Sequence, residues 1–357
     1  MNLVSQYVLK KFSFYFIVIL VALELFFVGL DLLANASSLP DSANLKLLYV
    51  VFMIFFALST TMPLAIVFAW IATVINFIKS NEMVAFIAIG AKTRDIIQAP
   101  IIATIVLIFL LVGIGASPLA YSADQKSRIL KNQYFSSERD NIFFKHNEYF
   151  VYFEKLLPMT KEAQNISIFK TKGDDLGQII SSPHGRFIDN HWEFEDVEIT
   201  SKPLVMDWEK SKLTKQNVAK LALLDGFKPR ILDAAYEPKA GYSSLDAIES
   251  FSILNAQNIN TDKIRAALYN QIFVPFFIVP ILFLIYKFAN INNRFFRPTE
   301  FASMWVFGTL FVWGGFFLLY RFSSNSVILP EFGLLGPLFT MFVLSFFAYK
   351  KSQKVKI

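Results

Sequence analysis

Residues Leu45 to Phe77 read LKLLYVVFMIFFALSTTMPLAIVFAWIATVINF, and Lys46 is the only charged residue among them. A helix needs about 20 apolar residues to cross a bilayer core of about 30 Å, because unpaired backbone groups are not tolerated in hydrocarbon. The stretch is longer than one crossing requires, which predicts a tilted helix or one that extends beyond the bilayer. The chain is therefore predicted to be an integral membrane protein.

Five other stretches have the same character, so the sequence predicts six membrane-spanning helices. These five are Phe12–Ala34, Pro100–Leu119, Ala266–Phe288, Phe301–Tyr320 and Phe332–Tyr349. The composition agrees, since 55% of the 357 residues are hydrophobic and only 17% are charged. No small-residue cleavage site follows the first stretch, which favours a retained helix over a signal peptide. Residues Asn2 to Lys11 are expected to form an interfacial lead-in to it.

The basic residues of the short loops predict the orientation, because cytoplasmic loops are enriched in lysine and arginine. The loops on the other side hold little beyond Lys46 and Arg321. Both termini are therefore predicted to be cytoplasmic, and the long interval between the third and fourth spans is predicted to face outward. The residues on the cytoplasmic side are Lys10, Lys11, Lys79, Lys92, Arg94, Lys287, Arg294, Arg297, Lys350, Lys351, Lys354 and Lys356.

The net charge of +6 reflects this topology. The interval from Tyr121 to Arg265 holds 20 basic and 21 acidic residues, whereas the rest of the chain holds 14 basic and 7 acidic ones. A nucleic-acid-binding role is not expected, because it needs basic residues clustered on one soluble face. The chain has no cysteine, which excludes disulfides and thiolate metal sites.

The outward-facing interval from Tyr121 to Arg265 has the sequence pattern of a β domain. Strand-like runs occur at Glu148–Glu154, Asn165–Phe169, Gln178–Ile180 and Trp192–Ile199. They predict an antiparallel sandwich or jelly roll, with Trp192 and Phe194 in its core and a bulge near Asp196. Ser243 to Ala256 is expected to be helical. The predicted domains are residues 1–120 with the first three spans, 121–262 with the β domain, and 263–357 with the last three spans.

No motif for catalysis or for a cofactor is found. The chain lacks a G-x-x-x-x-G-K-[ST] phosphate-binding loop, an H-E-x-x-H sequence and a G-x-S-x-G elbow. His146, His184 and His191 lack the spacing of a metal site. The sequence therefore predicts no catalytic residue, no metal and no cofactor, and any energy must come from outside this chain.

Two acidic residues lie within the first span. Glu24 is placed mid-helix, where a charge costs several kcal/mol. Two interpretations remain open for it: it lines a polar path or meets another helix, or it packs against a partner subunit with its proton retained. Solvation can account for Asp31, since it is near the outer interface.

The segment of residues 79–95 between the second and third spans is the most distinctive motif, and we call it the coupling segment. It contains KSNEMVAFIAIGAK, from Lys79 to Lys92. Ser80 is expected to cap a short helix that carries Glu82 in its first turn and ends at Gly90. Met83, Phe86, Ile87 and Gly90 are predicted to share one face. Such a helix either lies in the membrane interface or inserts into the groove of a soluble partner.

The arrangement resembles the LptF/LptG family of lipopolysaccharide export permeases of Gram-negative inner membranes. The likeness covers nearly the whole chain: three spans, one periplasmic domain, three spans, and both ends inside. It also includes Met62-Pro63-Leu64-Ala65 in the second span, followed nineteen residues after Pro63 by Glu82 in S-N-E-M-V-A-F-I-A-I-G. The strand-like runs from Asn147 to Glu154 and from Asn165 to Phe169 lean towards the LptG branch.

The resemblance implies an α-helical membrane protein with six transmembrane helices and an inserted all-β, jelly-roll-like periplasmic domain. It further implies a half-transporter that pairs with a paralogous LptF-like subunit and a pair of LptB ATPases, which would use the ATP. The lipopolysaccharide would pass through lateral gates at the first and fifth spans towards a bridge that includes LptC. The residues expected to couple to the ATPase are Glu82, Met83, Phe86 and Gly90.

One departure concerns the outer end of the first span. Many family members have lysines there for lipid phosphates, whereas this chain has Val28 to Asn35 without a basic residue. We therefore expect Lys46, Arg321 or the partner subunit to bind the headgroup, and Phe26, Phe27, Phe307 and Phe311 to line an acyl cavity. The alternative function is a membrane-anchored receptor or assembly scaffold whose outer domain binds a ligand.

Overall fold

The structure, a computed structural model, describes residues 2–131, 139–146, 148–157, 160–172, 175–189, 191–202, 213–225, 243–256, 260–290 and 293–354. Lys356 therefore lies outside the described residues. The chain divides into two compact units, which are considered separately below. The first comprises Met1–Leu130, Gly241–Phe251 and Asn260–Ile357, and the second comprises Lys131–Ala240 and Ser252–Ile259.

The first unit is helical. Within the described ranges, five helices are long and apolar enough to cross a membrane, and a sixth crossing results if one bent pair counts as a single span. The α-helices are α1 (Leu3–Ala34), α2 (Ala43–Lys79), α3 (Glu82–Ala88), α4 (Thr93–Ala116), α5 (Ser122–Leu130), α6 (Ser244–Ala256), α7 (Asp262–Ile272), α8 (Ile278–Phe288), α9 (Pro298–Ser324) and α10 (Gly336–Lys354).

The fourth span differs from the single helix predicted at Ala266–Phe288. It consists of α7 and α8, joined by a 3₁₀ turn at Val274–Phe277 and bent by 44°. Pro275 lies in that turn, and proline breaks an α-helix because it lacks the amide hydrogen and its ring crowds the preceding turn. The first span also differs, because the expected lead-in is continuous with it: Asn2 caps α1 by accepting a hydrogen bond from the Ser5 amide.

The sixth span begins with a π-helical turn at Glu331–Leu335. An ionic cluster holds this turn against the start of α7. Arg265 pairs with Glu331 at 2.6 Å and with Asp262 at 2.5 Å, and the Tyr269 hydroxyl donates to Glu331 at 3.0 Å. The fourth and sixth spans are therefore joined at this end.

Helix α2 is the centre of the first unit. The half from Thr61 to Ile78 is almost entirely buried, and Trp70 donates a hydrogen bond from its indole nitrogen to the Leu282 carbonyl of α8 at 2.9 Å. Helices α1 and α9 instead expose many of their apolar side chains. Exposed leucine and phenylalanine are compatible with a bilayer, because lipid tails are equally apolar.

The second unit contains an antiparallel sheet of six strands in sequence order. The strands are β1 (Arg139–His146), β2 (Tyr149–Leu157), β3 (Glu162–Lys172), β4 (Asp175–Ile188), β5 (His191–Ser201) and β6 (Thr214–Leu223). The predicted all-β, antiparallel character is confirmed. The strand order differs from a jelly roll, which has Greek-key connections, because each described strand pairs with its neighbour in sequence.

A crease runs across this sheet. The pairing is interrupted in the middle of every strand, and the register is the same immediately on both sides of this row; a separate register shift lies between Lys170 and Thr171. The interruptions are at Asn141, Glu154, Asn165, Pro183, Asp196 and Ala219. The three strands β1, β3 and β5 each place a residue with positive φ there, namely Asn141, Asn165 and Asp196. The irregularity expected near Asp196 is thus present, but it is a break in the pairing without an inserted residue.

The crease folds the sheet onto itself. Strands β2 and β5 are separated by three strand spacings, or about 14 Å in a flat sheet. The rings of Phe153 on β2 and Trp192 on β5 are nevertheless 5.1 Å apart. Both are fully buried, as is Phe194, in one apolar core between the two halves of the sheet. A single folded sheet therefore provides the two layers that the sequence led us to expect from a sandwich.

Candidate functional sites

The coupling segment begins with a reversal of the chain at Asn81. The Ser80 hydroxyl donates to the Asn76 carbonyl at 2.9 Å and so closes α2. Asn81, with φ of 58°, is the residue before α3 and makes no side-chain capping bond. The prediction that Ser80 caps the short helix is therefore wrong. The reason is that the left-handed turn at Asn81 separates Ser80 from α3, and asparagine tolerates that conformation.

The segment ends as the sequence predicts. Gly90 has φ of 77°, its amide donates to the Ile87 carbonyl, and the Ala91 amide donates to the Phe86 carbonyl, both at 2.9 Å. This pair of bonds is a Schellman motif, which favours glycine at the left-handed position. Asp95 then accepts a hydrogen bond from the Lys92 amide at 2.9 Å and starts α4.

Helix α3 has two different apolar faces. Met83 and Phe86 are buried against the other helices of the first unit. Val84, Ile87 and Ile89 point away from the chain and keep 48%, 42% and 71% of their surfaces exposed. The prediction that Ile87 shares the face of Met83 and Phe86 is wrong, because the buried pair is spaced three residues apart and leaves Ile87 beyond its edge.

Glu82 occupies the first turn of α3. Its carboxylate interacts with the Tyr7 hydroxyl, while its Oε2 atom is buried without a hydrogen-bond partner among the described residues. A buried carboxylate oxygen that is left unpaired is unfavourable. This oxygen is enclosed by the chain itself, although the Glu82 residue as a whole is only partly buried.

The outer end of α1 carries an ion pair that the sequence did not reveal. Lys126 of α5 places its Nζ atom 2.7 Å from Asp31, and the side chains of the two residues are 15% and 18% exposed. The Tyr49 hydroxyl of α2 also donates to Asp31. Lys126 additionally lies over the ring of Phe56, at 5.1 Å from its centre. Solvation alone therefore does not account for Asp31.

Lys46 and Arg321, the predicted headgroup residues, are both exposed. Neither forms an ion pair within the part of the chain that the structure describes. The Arg321 guanidinium lies over the ring of Phe317, at 5.3 Å from its centre. Both cations therefore remain accessible to an anion from outside the chain.

Glu24 contacts α2 within the membrane. It accepts a hydrogen bond from the Thr61 hydroxyl, which also lies 3.1 Å from the Ala57 carbonyl. The other oxygen, Oε2, is buried without a partner among the described residues. Glu24 therefore contacts another helix of this chain, as the first interpretation allows, and its packing against a partner subunit stays a prediction.

The predicted acyl-cavity residues are divided by the structure. Phe26, Phe307 and Phe311 are exposed on α1 and α9. Phe27 is partly buried against a small cluster of Val28, Met53 and Ala57. Three of the four rings therefore face away from the chain's own core.

Three contact residues, Tyr7, Thr61 and Lys126, were missed by sequence reasoning. Lys126 lies 95 positions from Asp31, and no local pattern links the two. The sequence does contain a signal for the Tyr7 contact, because an aromatic residue in an interfacial helix is expected to pack against a neighbouring segment. Thr61 lies directly before the motif from Met62 to Ala65 that was already singled out.

Comparison with known proteins gives one match. The family described as "Lipopolysaccharide export system permease LptF/LptG" matches residues 6–351. No curated protein matches the chain.

Proposed function

The chain belongs to the LptF/LptG family of lipopolysaccharide export permeases, and on this premise we propose that it is one transmembrane half of an exporter driven by a separate ATPase. Members of this family are inner-membrane permease subunits rather than enzymes. The proposal adds a paralogous permease subunit as partner, a pair of LptB ATPases on the cytoplasmic side, and delivery of the lipid to a periplasmic bridge that includes LptC. Of the two branches, we propose the LptG-like one.

The topology that we propose has six spans, both termini in the cytoplasm and the folded sheet in the periplasm. The fourth span is then the bent pair of α7 and α8. The distribution of lysine and arginine supports this orientation, because the cytoplasmic loops hold twelve of them.

The two faces of α3 are the observation that carries the proposal. Met83 and Phe86 fix the helix to the membrane unit, and Val84, Ile87 and Ile89 remain exposed beside it. A helix that presents an apolar strip in this way is suited to the groove of a partner protein. We infer that Met83 and Phe86 transmit the movement of α3 to the membrane helices. Glu82 would accept a hydrogen bond from the ATPase, and Gly90 would end the helix at the end of the ATPase groove.

Lipid contact is proposed for the exposed residues of the outer ends and of α1 and α9. Lys46 and Arg321 would bind the anionic headgroup, since neither charge is neutralised by a described residue. Phe26, Phe307 and Phe311 would contact acyl chains. Phe27 would pack α1 against α2.

Replacement of Glu82 tests the coupling assignment. We expect Glu82→Ala to weaken, and Glu82→Arg to abolish, co-purification of the ATPase and lipopolysaccharide release by the reconstituted exporter, because a buried contact to a charged group is worth about 1.5–3 kcal/mol. Glu300→Ala is the matched control, since Glu300 is an exposed acidic residue at the start of α9 that, among the described residues, forms an ion pair only with Arg297.

Normal ATPase association and normal release in both Glu82 variants would refute the assignment. The receptor or scaffold function makes a different prediction for the wild type: the ATPase would bind, but reconstituted vesicles supplied with ATP would release no lipid.

A further inference from the structure

The N-terminal turns of α1 contact the coupling segment through a cluster of three aromatic rings. Tyr7 stacks on Phe77 of α2, with ring centres 6.1 Å apart and planes at 26°. It also meets Phe86 of α3 edge-on at 6.2 Å, and Phe86 meets Phe77 edge-on at 5.4 Å. Edge-to-face and offset pairs at these distances are attractive beyond the area that they bury. Each ring of the cluster thus comes from a different helix.

A second contact joins the same end of α1 to the other side of the coupling segment. The Ser5 hydroxyl donates to the Asp95 carbonyl at 2.6 Å, and Ser5 is buried. Asp95 lies in the first turn of α4, directly after the segment's Schellman turn. The first two turns of α1 therefore hold both α3 and the start of α4.

Charges reinforce the contact at Tyr7. Its hydroxyl interacts with Glu82, and the Lys11 Nζ atom lies 5.8 Å from the centre of its ring. A cation at this distance from a ring face is attracted by the ring's electron density. Tyr7 therefore interacts with Glu82 of α3 through its hydroxyl and with Lys11 of α1 through its ring.

Helix α1 can carry a displacement over a long distance. It runs without interruption from Leu3 to Ala34, which corresponds to about 48 Å at about 1.5 Å per residue. Along this length it contacts α2 through Glu24 and Thr61, and it contacts α2 and α5 through Asp31. A shift imposed at Tyr7 therefore acts on a helix that is held at two further points.

We propose that the first two turns of α1 are a second connection between the ATPase-docking segment and the membrane helices, with Tyr7 as the positioning residue. When α3 moves, the three-ring cluster passes the movement to α1 directly, in parallel with the covalent path through α2. The inference rests on the proposed function, because it needs an ATPase that moves α3.

The test uses the complete exporter reconstituted with its ATPase, in which both ATP hydrolysis and lipopolysaccharide release are measured. Tyr7→Ala is expected to lower the amount of lipid released per ATP hydrolysed about fivefold while ATPase co-purification stays normal, which is within the range that residues of a coupling path produce. Tyr7→Phe keeps the ring and should retain most of the ratio. Phe339→Ala is the matched control, because Phe339 is an exposed ring of α10, outside both the cluster and the proposed lipid contacts.

A Tyr7→Leu variant keeps apolar volume without ring stacking and is expected to behave like Tyr7→Ala. Tyr7 is 38% exposed, so neither replacement opens a closed cavity.

A double-variant cycle between Tyr7→Ala and Phe86→Ala should show that the two effects are not additive. An unchanged ratio of lipid to ATP in Tyr7→Ala and Tyr7→Leu, or additive effects with Phe86→Ala, would overturn the inference. A wild-type chain that binds no ATPase or releases no lipid would instead overturn the proposed function.

Discussion

At the residue scale, Asp31 and Lys126 alter the electrostatics of the outer end of α1. The sequence places an acidic residue there and no basic one, whereas the structure brings a lysine from α5 to within 2.7 Å. The pair is formed among apolar groups, since Lys126 also lies against Phe56 and 3.3 Å from the Met53 sulfur. The site is thus neutral overall, which leaves Lys46 and Arg321 as the cations available to a lipid headgroup in our proposal.

Removal of either partner should destabilise the first unit, but by different amounts. Lys126→Met leaves Asp31 with the Tyr49 hydroxyl alone and should lower the free energy of unfolding by about 2 kcal/mol, less than for a fully buried pair. Asp31→Asn should cost less, because the long lysine side chain can turn towards water. Thermal unfolding in one detergent measures both, with Lys46→Met as the exposed control. Equal midpoints for Lys126→Met and the control would contradict the expectation.

Sequence reasoning predicted local features of the candidate site and missed those that depend on distant packing. Gly90 was identified as a helix end because a left-handed terminal residue leaves a local signature. The contact of Tyr7 with Phe86 joins residues that are nearly eighty positions apart, and the pairing of Asp31 with Lys126 depends on where α5 packs. The burial of Ile87 was misjudged because a helix as short as α3 has no stable stripe from which its face can be inferred.

At the element scale, the apolar spans were predicted because hydropathy is a local property of the sequence, but their bounds differ: α1 begins at Leu3 instead of Phe12, and α4 begins at Thr93 instead of Pro100. The bend between α7 and α8 was missed although Pro275 was visible, since proline is tolerated in many transmembrane helices, as at Pro63 in α2. The crease could not be predicted from the sequence. It requires Asn141, Asn165 and Asp196 to lie in one row across alternate strands, and that alignment depends on the register of the strands.

Because Asn165 lies at the crease, its substitution is expected to change the stability of the sheet. Its φ is 48°, and its side-chain amide donates to Glu154 at 2.7 Å. Asn165→Gly and Asn165→Ala both lose that bond, but only alanine is strained by the left-handed backbone, by about 1 kcal/mol. In hydrogen exchange of the full-length protein, amides of β3 should therefore exchange about fivefold faster in the alanine variant than in the glycine variant. Identical exchange in the two variants would mean that the crease does not depend on this backbone conformation.

At the scale of the whole molecule, the charge distribution and the helices specify the same topology. Several of the basic residues that our proposal assigns to the cytoplasm lie at helix ends: α2 ends at Lys79, Arg94 is in the first turn of α4, α8 contains Lys287 near its end, and Arg297 precedes α9. In the topology that we propose, the net charge of +6 is accounted for by orientation in a membrane.

The absence of cysteine makes this topology directly measurable, since single cysteines can be introduced without removing native ones. Ser38 lies between α1 and α2 and Ile89 follows α3, and both are exposed. We expect a membrane-impermeant maleimide to label Ser38→Cys in intact spheroplasts, and to label Ile89→Cys only after the membrane is permeabilised. Labelling of Ile89→Cys in intact spheroplasts would place the coupling segment outside the cell, where no ATPase could reach it. The orientation and the proposed role of α3 would then fail together, whereas the family assignment, which rests on the sequence, would stand.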